Sequence, residues 1–244
     1  MAKNRKNTKK KLKKIKNILT VLTGILVVIV IILFVYIIKM KNDFNNKKIA
    51  YEKQISEYEK PGNENYVLLG DSLTDWYPIL DFFSDEYPII NSGFAGFKTG
   101  DLLRDMDKTV YRYNPTKVFI QIGTNDLNGS DPNIDEAYNN IVQIINNIKE
   151  NRPKAEIYFE SLYPVNRSIE EKGAEERENA DIIALNEKIS NYCKDNNVTY
   201  MDMYKLLSDE NGELKREYTS DGLHLSTEGY RVLSNELKKY MKEF

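Results

Sequence analysis

The sequence predicts an α/β fold, in which helices cover both faces of a parallel sheet, preceded by one N-terminal transmembrane helix. From residue 65 onward, short apolar segments alternate with segments whose apolar residues recur at helical spacing. That alternation favours a parallel sheet, because parallel neighbours need a crossover and a helix usually supplies it. Residues 18–38 read ILTVLTGILVVIVIILFVYII, 21 residues without a charge. A helix of this length spans roughly 30 Å, the thickness of the hydrocarbon core of a bilayer.

The charges around the apolar segment predict its orientation. Residues 1–17 carry nine Lys and Arg residues and no acid, so the positive-inside rule places the N-terminus in the cytoplasm and the C-terminal part outside it. A cleaved signal peptide is the alternative, but its apolar region usually has about 7–15 residues and ends at a small-residue cleavage site. Here the run is longer and KMKNDF follows it, which favours an uncleaved anchor.

These features divide the chain into four segments. They are a basic cytoplasmic segment (1–17), a transmembrane signal-anchor helix (18–38), a polar stalk (39–64) and an α/β domain (65–244). The stalk is predicted to be helical and to end at Pro61 and Gly62, which break helices.

Composition limits the functions that the α/β domain can have. Beyond residue 17 there are 26 bases and 37 acids, a net charge of −11, so we predict no nucleic-acid partner. The single cysteine, Cys193, leaves no internal disulfide, and the single histidine leaves no His/Cys cluster to hold a metal. We therefore predict neither a metal nor a cofactor.

Periodicity assigns the elements of the α/β domain. The predicted strands are residues 66–70, 87–94, 117–126, 156–165 and 198–203. The predicted helices are 135–150, 178–196 and 226–244, the last with a capping box that starts at Ser226 or Thr227. Because ligands of such folds bind at the carboxyl ends of the strands, the residues there are the candidates for chemistry.

Polar residues follow several of these strands. Ser72 lies in GDSLTDW after the first strand, although a serine there is often only an N-cap. Asn125 lies in GTND, in the polar loop at the end of the third strand, where an Asx-turn is the simpler interpretation. The sequence DGLH places Asp221 and His224 just before the last helix.

A serine, a histidine and an aspartate in one site can cleave esters. The hydroxyl is a weak nucleophile until a base accepts its proton, and an acidic neighbour fixes the tautomer of that base. Donors must also face the oxyanion that develops on the carbonyl. The order Ser, Asp, His is compatible with such a triad, but the chain has no G-x-S-x-G sequence, which counts against an ordinary α/β-hydrolase.

Four short blocks resemble those of the SGNH/GDSL hydrolase family. They are GDSL at 70–73, GFAG at 93–96, GTND at 123–126 and DGLH at 221–224, in the family's order. The resemblance implies a three-layer α/β/α sandwich, flavodoxin-like, around a parallel sheet of about five strands. It also implies that Ser72 is the nucleophile, His224 the general base and Asp221 its orienting partner. The implied oxyanion donors are the backbone N–H groups of Ser72 and Gly96 and the side chain of Asn125.

The second block departs from the family pattern. Many relatives have Gly-Asp-Thr where this chain has GFKT, so Gly93 is an alternative to Gly96 as the donor. Phe97 either forms an apolar lip of the site or packs under the loop.

Three other residues near the blocks have open roles. Asp71 is expected to brace the loop rather than transfer protons. Trp76 either lines an acyl pocket or belongs to the core, and Tyr163 with Pro164 is a candidate border of the cleft.

The sequence thus predicts a membrane-anchored, extracytoplasmic serine esterase that hydrolyses carboxylic esters. The substrate would be an O-acetyl group of a cell-wall glycan, or a small or lipid ester. Two alternatives stay open, an O-acyltransferase that uses the same acyl-serine and a non-catalytic binding protein on the same fold.

Overall fold

A computed structural model gives the structure of the chain, which divides into two compact units, Met1–Glu57 and Tyr58–Phe244. In the second unit it describes residues 64–83, 87–169, 173–174 and 176–241. In the first unit it describes residues 16, 19–20, 22–24, 26–27 and 29–42, and residue 56. Most of the basic segment 1–17 and of the stalk predicted for 39–64, including Pro61 and Gly62, lies outside the described residues.

The N-terminal unit contains an apolar helix, α1 (Leu22–Asn42), with a mean hydropathy of 2.9. Its length and composition are those of a membrane span or of a signal sequence. The helix extends beyond the end of the predicted segment 18–38, because it continues through Lys39–Asn42 after the apolar run.

The second unit is built on a five-stranded parallel sheet. Its strands are listed in chain order as β1 (Tyr66–Gly70), β2 (Ile89–Gly93), β3 (Lys117–Gln121), β4 (Glu156–Glu160) and β5 (Thr199–Met201). Their spatial order is β2-β1-β3-β4-β5, and each neighbouring pair is parallel. This is the flavodoxin-like order, and it confirms the predicted fold class.

The helices form a layer on each face of the sheet. The longer ones are α6 (Ile134–Asn151), α7 (Asn179–Asp195) and α9 (Thr227–Leu237). The short ones are α2 (Ser72–Asp75), α3 (Ile79–Phe82), α4 (Thr99–Arg104), α5 (Met106–Thr109) and α8 (Met203–Leu207). Short 3₁₀ turns occur at Tyr111–Tyr113, Arg216–Tyr218 and Lys238–Tyr240.

Strand β1 shows why the sheet is buried between two layers. Val67 and Leu69 point into one apolar cluster, which also contains the buried faces of α6 and α7. Tyr66 and Leu68 point into the other, which contains the buried face of α9. Since successive side chains of a strand alternate between faces, an unbroken apolar run predicts a strand covered on both sides.

Several predicted elements are longer than the observed ones. The predicted strand 117–126 ends at Gln121, because the chain turns there and the Asp126 N–H donates to the Gly123 carbonyl (3.1 Å). The predicted helix 226–244 ends at Leu237 and continues as a 3₁₀ turn. Helices of four to six residues such as α4, α5 and α8 have too few turns to show a period in the sequence.

Candidate active site

Three neighbouring strands end at one edge of the sheet and deliver the first group of site residues. Gly70 of β1 is in register with Gly93 of β2 and with Gln121 of β3. The loops that carry Ser72, Gly96 and Asn125 therefore leave the sheet at the same level. This edge holds the carboxyl ends of the strands, where open α/β folds bind ligands.

Ser72 is the first residue of α2, and its side chain faces His224. The N-cap of α2 is Asp71, whose Oδ1 accepts a hydrogen bond from the Leu73 N–H (2.9 Å). The alternative that Ser72 is only an N-cap is therefore wrong. Its Oγ lies 3.0 Å from Nε2 of His224, within hydrogen-bonding distance.

Asp221 holds the other side of the imidazole ring. Its Oδ2 is 2.6 Å from His224 Nδ1, and its Oδ1 accepts from the backbone N–H groups of Leu223 (2.9 Å) and His224 (2.8 Å). A carboxylate can only accept, so the proton of a neutral ring lies on Nδ1 and Nε2 is left to accept from Ser72. Partial burial opposes the charge of Asp221, but the hydrogen bonds from His224 and Leu223 outweigh it and lower the pKa of this carboxyl.

Helix α9 ties the histidine loop to the serine helix. Ser226 is its N-cap and accepts from the Gly229 N–H, so the helix starts at Thr227 and no acid occupies the position of a capping box. The Tyr230 hydroxyl donates to the Leu73 carbonyl in α2 (2.9 Å). This buried bond joins α9, which follows His224, to α2, which begins at Ser72.

Asn125 lies beside the second block in a fixed orientation. Its Nδ2 donates to the Phe97 carbonyl (3.0 Å), and its Oδ1 accepts from Nη2 of Arg177 (2.9 Å). A carbonyl only accepts and a guanidinium only donates, so these two partners define which end of the amide is which. The Asx-turn interpretation is wrong, because the side-chain oxygen accepts from Arg177 and not from its own loop.

The structure distinguishes Gly96 from its alternative, Gly93. The Gly93 N–H donates to Oδ1 of Asn91 (2.9 Å) and is therefore occupied. Gly96 has φ +82°, a conformation that favours glycine. Within the described part of the chain, the N–H groups of Gly96 and Ser72 donate to no protein acceptor. Both are therefore available to a ligand.

Aromatic residues flank the strand ends. Trp76 is 55% exposed, so the core role considered for it is wrong, and its ring stacks on His224. Phe97 packs against the core and stacks on Phe94, with ring centroids 4.9 Å apart, which agrees with packing under the loop. Tyr163 is 3% exposed, and its hydroxyl donates to the buried Glu160, so it belongs to the core and not to a cleft border. Pro164 beside it is also buried.

Two aspartates brace the loops, the buried Asp71, as expected, and the half-buried Asp126. Burial raises the pKa of Asp71 to about 7, although the Leu73 N–H and the charge of Arg177 act in the opposite direction. Asp126 accepts from both the N–H and the hydroxyl of Thr99, which joins the third block to the second. Burial outweighs these bonds and raises the pKa of Asp126.

Sequence reasoning missed two residues near the site. Arg177 and Gly173 lie in the loop between β4 and α7, and they contact Asn125 and Asp221 respectively. Neither belongs to a motif, so no signal in the sequence marks them. Among the residues that the structure describes, no group of His, Cys, Asp and Glu could hold a metal ion, and Cys193 is buried.

Comparisons with known proteins identify the class. Residues 68–232 match the GDSL-like Lipase/Acylhydrolase family. A solved structure from Streptococcus pneumonia, described as a platelet activating factor, is 34% identical with a TM-score of 0.69, and the match covers 83% of this chain and 99% of that one.

Two curated proteins are also similar. The isoamyl acetate-hydrolyzing esterase of Saccharomyces cerevisiae is 23% identical, over 74% of this chain and 87% of its own length. The N-acylneuraminate cytidylyltransferase of Escherichia coli is 29% identical over 72% of this chain, which spans only 40% of that protein's length.

The fold and the site define a parallel α/β protein that carries a serine paired with a histidine at its strand ends. The chain belongs to the GDSL-like lipase/acylhydrolase family. This membership supports a hydrolase activity of the esterase type.

Proposed function

We propose that the chain is a serine esterase that cleaves carboxylic esters through a triad of Ser72, His224 and Asp221. The proposal rests on two hydrogen bonds that share the imidazole of His224. Ser72 Oγ lies 3.0 Å from His224 Nε2, and His224 Nδ1 lies 2.6 Å from Asp221 Oδ2. Together the three residues supply a nucleophile, a base and a group that orients the base.

The reaction would proceed in two steps. Ser72 Oγ bonds to the ester carbonyl carbon while Nε2 of His224 takes the hydroxyl proton, and the imidazolium then gives that proton to the departing alcohol. A water molecule gives a proton to Nε2 of His224 and attacks the acyl-serine, and the imidazolium returns that proton to Ser72 Oγ as its bond to the acyl carbon breaks and the acid leaves. In both steps the oxyanion would accept from the Ser72 and Gly96 N–H groups and from Nδ2 of Asn125.

For the substrate we propose a short acyl ester, of which an O-acetyl group on a cell-wall glycan is one example. The similar yeast esterase carries isoamyl acetate in its name, which supports an acetyl group on the acid side. The basic residues before the apolar helix support a single-pass anchor in the cell membrane, with the N-terminus in the cytoplasm and the domain 65–244 outside, near such glycans.

Hydrolysis of p-nitrophenyl acetate by the full chain in detergent tests the triad. Ser72→Ala and His224→Ala should each remove the activity while the melting temperature stays close to that of the wild type. Ser190→Ala on α7, which lies outside the three loops of the site, is the matched control and should be fully active. Wild-type rates in the Ser72→Ala or the His224→Ala protein would overturn the triad.

Two further measurements test the finer claims. An ester series with acyl chains of increasing length, together with an acetylated glycan, should show the highest kcat/KM for acetyl esters. Transfer of the acyl group to a glycan hydroxyl in place of water would favour the acyltransferase. The orientation can be tested with a C-terminal reporter that works only in the cytoplasm. Activity of this reporter would contradict the proposed orientation.

A further inference from the structure

Arg177 is a buried cation beside the proposed oxyanion site. It is 4% exposed and lies between β4 and α7, away from all four sequence blocks. Its Nε donates to the Thr124 carbonyl (2.8 Å), its Nη2 to Asn125 Oδ1 (2.9 Å) and its Nη1 to the Gly173 carbonyl (3.3 Å). Burial of a charged group costs free energy unless hydrogen bonds replace its contacts with water. These three hydrogen bonds compensate the burial of the guanidinium.

We propose that Arg177 is a positioning residue for the reaction, which fixes the amide of Asn125 so that its N–H group faces the oxyanion. The inference rests on the proposed function, in which Asn125 is an oxyanion donor. An asparagine amide can rotate to exchange its oxygen and nitrogen. With the oxygen turned toward the reacting carbonyl, the site would present an acceptor to a developing negative charge.

The hydrogen-bond partners of Asn125 exclude that rotated state. The guanidinium has only donors, so it must contact Oδ1, and the Phe97 carbonyl has no donor, so it must contact Nδ2. One amide hydrogen of Asn125 is donated to the Phe97 carbonyl, and the second remains available to a ligand. Arg177 and Phe97 therefore select the one orientation that keeps a donor available.

The charge of Arg177 has a second effect. A cation that donates to Oδ1 polarises the amide and makes the remaining N–H a stronger donor, and this effect is larger in a buried site than in water. The field of Arg177 reaches the neighbouring loop, where it opposes the burial that raises the pKa of Asp71. Neutral hydrogen-bond donors at the same place would orient the amide without this contribution.

The segment that carries Arg177 also contacts the opposite side of the triad. The Gly173 N–H donates to the Asp221 carbonyl (2.8 Å), and Nη1 of Arg177 donates to the Gly173 carbonyl. One short stretch of loop thus touches both the oxyanion donor and the partner of the base. This explains how a residue outside every motif can act on the reaction.

A double-mutant cycle between Arg177 and Asn125 tests the proposal, with hydrolysis of p-nitrophenyl acetate by the full chain as the assay. Asn125→Ala should lower kcat about 100-fold to 1000-fold with little change in KM. Arg177→Met, which keeps the length of the side chain but not its donors, should lower kcat by about tenfold or more. In the double variant kcat should be close to that of Asn125→Ala alone, because the role proposed for Arg177 is to orient Asn125.

Three controls keep the outcomes distinct. Arg167→Met removes an exposed arginine of the same loop and should leave kcat unchanged. Arg177→Ala covers the case in which Arg177→Met does not fold, and its loss of kcat must also vanish in the Asn125→Ala background. Guanidinium ions added to Arg177→Ala should restore part of kcat, but not when Asn125 is also alanine.

The outcomes separate this inference from the proposed function. Unchanged kcat in Arg177→Met, or in Arg177→Ala where the Met variant does not fold, overturns the positioning role. Losses that multiply in the double variant also overturn it, because the two residues would then act independently. Unchanged kcat in Asn125→Ala instead overturns the oxyanion assignment itself.

Discussion

The ring of Trp76 stacks on the ring of His224, with the two centroids 4.1 Å apart and the planes inclined by 33°. Trp76 is the C-cap of α2, the helix that Ser72 begins, so one helical turn separates the proposed nucleophile from the ring that covers His224. The tryptophan holds the imidazole plane in place from one side, while Asp221 holds its edge. An aromatic face is also a favourable neighbour for a ring that becomes positive during the reaction.

Trp76→Ala should lower kcat/KM several-fold. A cation–π contact at an exposed site is worth about 0.5–1 kcal/mol, which corresponds to about a two- to fivefold change in rate. Trp76→Phe keeps a smaller aromatic face and should recover part of the loss. Ile183→Ala, which removes another partly exposed apolar side chain, is the control and should have no effect. Equal rates for Trp76→Ala and the wild type would show that the stacking has no part in the reaction.

Asp221→Asn should lower kcat by about 10⁴-fold without unfolding the protein. The amide nitrogen of an asparagine would donate to Nδ1 of His224, so the proton of the ring would move to Nε2 and the base could no longer accept from Ser72. The rate of p-nitrophenyl acetate hydrolysis and a thermal melt measure the two parts of this prediction. A loss of less than about tenfold would mean that Asp221 does not set the tautomer.

Gly173→Ala should lower the rate of ester hydrolysis, although it adds only one methyl group. A Cβ on Gly173 would lie 2.5 Å from Cγ of Asp221, so the carboxylate or the loop must move. A displacement of about 1 Å at a catalytic group can cost on the order of 100-fold in rate.

Gly100→Ala is the matched control for this substitution. The nearest atom to a Cβ there is 3.7 Å away, so the alanine fits without a shift. Kinetics on both variants give the comparison. If Gly173→Ala and Gly100→Ala are equally active, the loop does not position Asp221.

Asp71→Asn should stabilise the protein at alkaline pH and leave its stability unchanged at acidic pH. Burial raises the pKa of Asp71 from its ordinary value of 3.8 to about 7 in the folded state. The folded state therefore holds a proton that the unfolded state lacks between these two values. This contribution to stability is fully present below the ordinary pKa and is lost as the pH rises through about 7.

Melting temperatures at pH 4 and pH 8 check the prediction for Asp71. Asparagine is neutral at both, and its side-chain oxygen can still accept from the Leu73 N–H. The variant should therefore melt above the wild type at pH 8 and together with it at pH 4. Asp107→Asn, on an exposed part of α5, should change neither value. A variant that melts below the wild type at pH 8 would contradict the raised pKa of Asp71.

The strands and the site blocks could be predicted from the sequence because both are local signals. An apolar run such as 66–70 marks a strand covered on both faces, and the residues that follow it belong to the strand end wherever the sheet lies. The structure brings Ser72, Asp221 and His224 together as the resemblance implied. Their roles remain predictions for the variants to test.

What the sequence could not predict depends on the fold of the loops. Arg177 stands among acidic neighbours in EERENAD, which is the pattern of a solvated surface, and only the path of the loop after β4 buries it. The choice between Gly93 and Gly96 depends on Asn91, whose side chain takes up the Gly93 N–H. The exposure of Trp76 could not be predicted, because it lies at the C-cap of α2, a helix of four residues that is too short to show a period in the sequence.

The hydrogen bond between Ser72 and His224 joins residues that are 152 positions apart in the chain. The proposed nucleophile therefore leaves the ribosome long before its proposed base does. An N-terminal fragment that stops before residue 221 contains a complete β1 and α2 but lacks the histidine that would take the serine proton. Under the proposed mechanism, the growing chain cannot cleave an ester until α9 has been made and has docked, so the first ester cleaved would mark the completion of the fold.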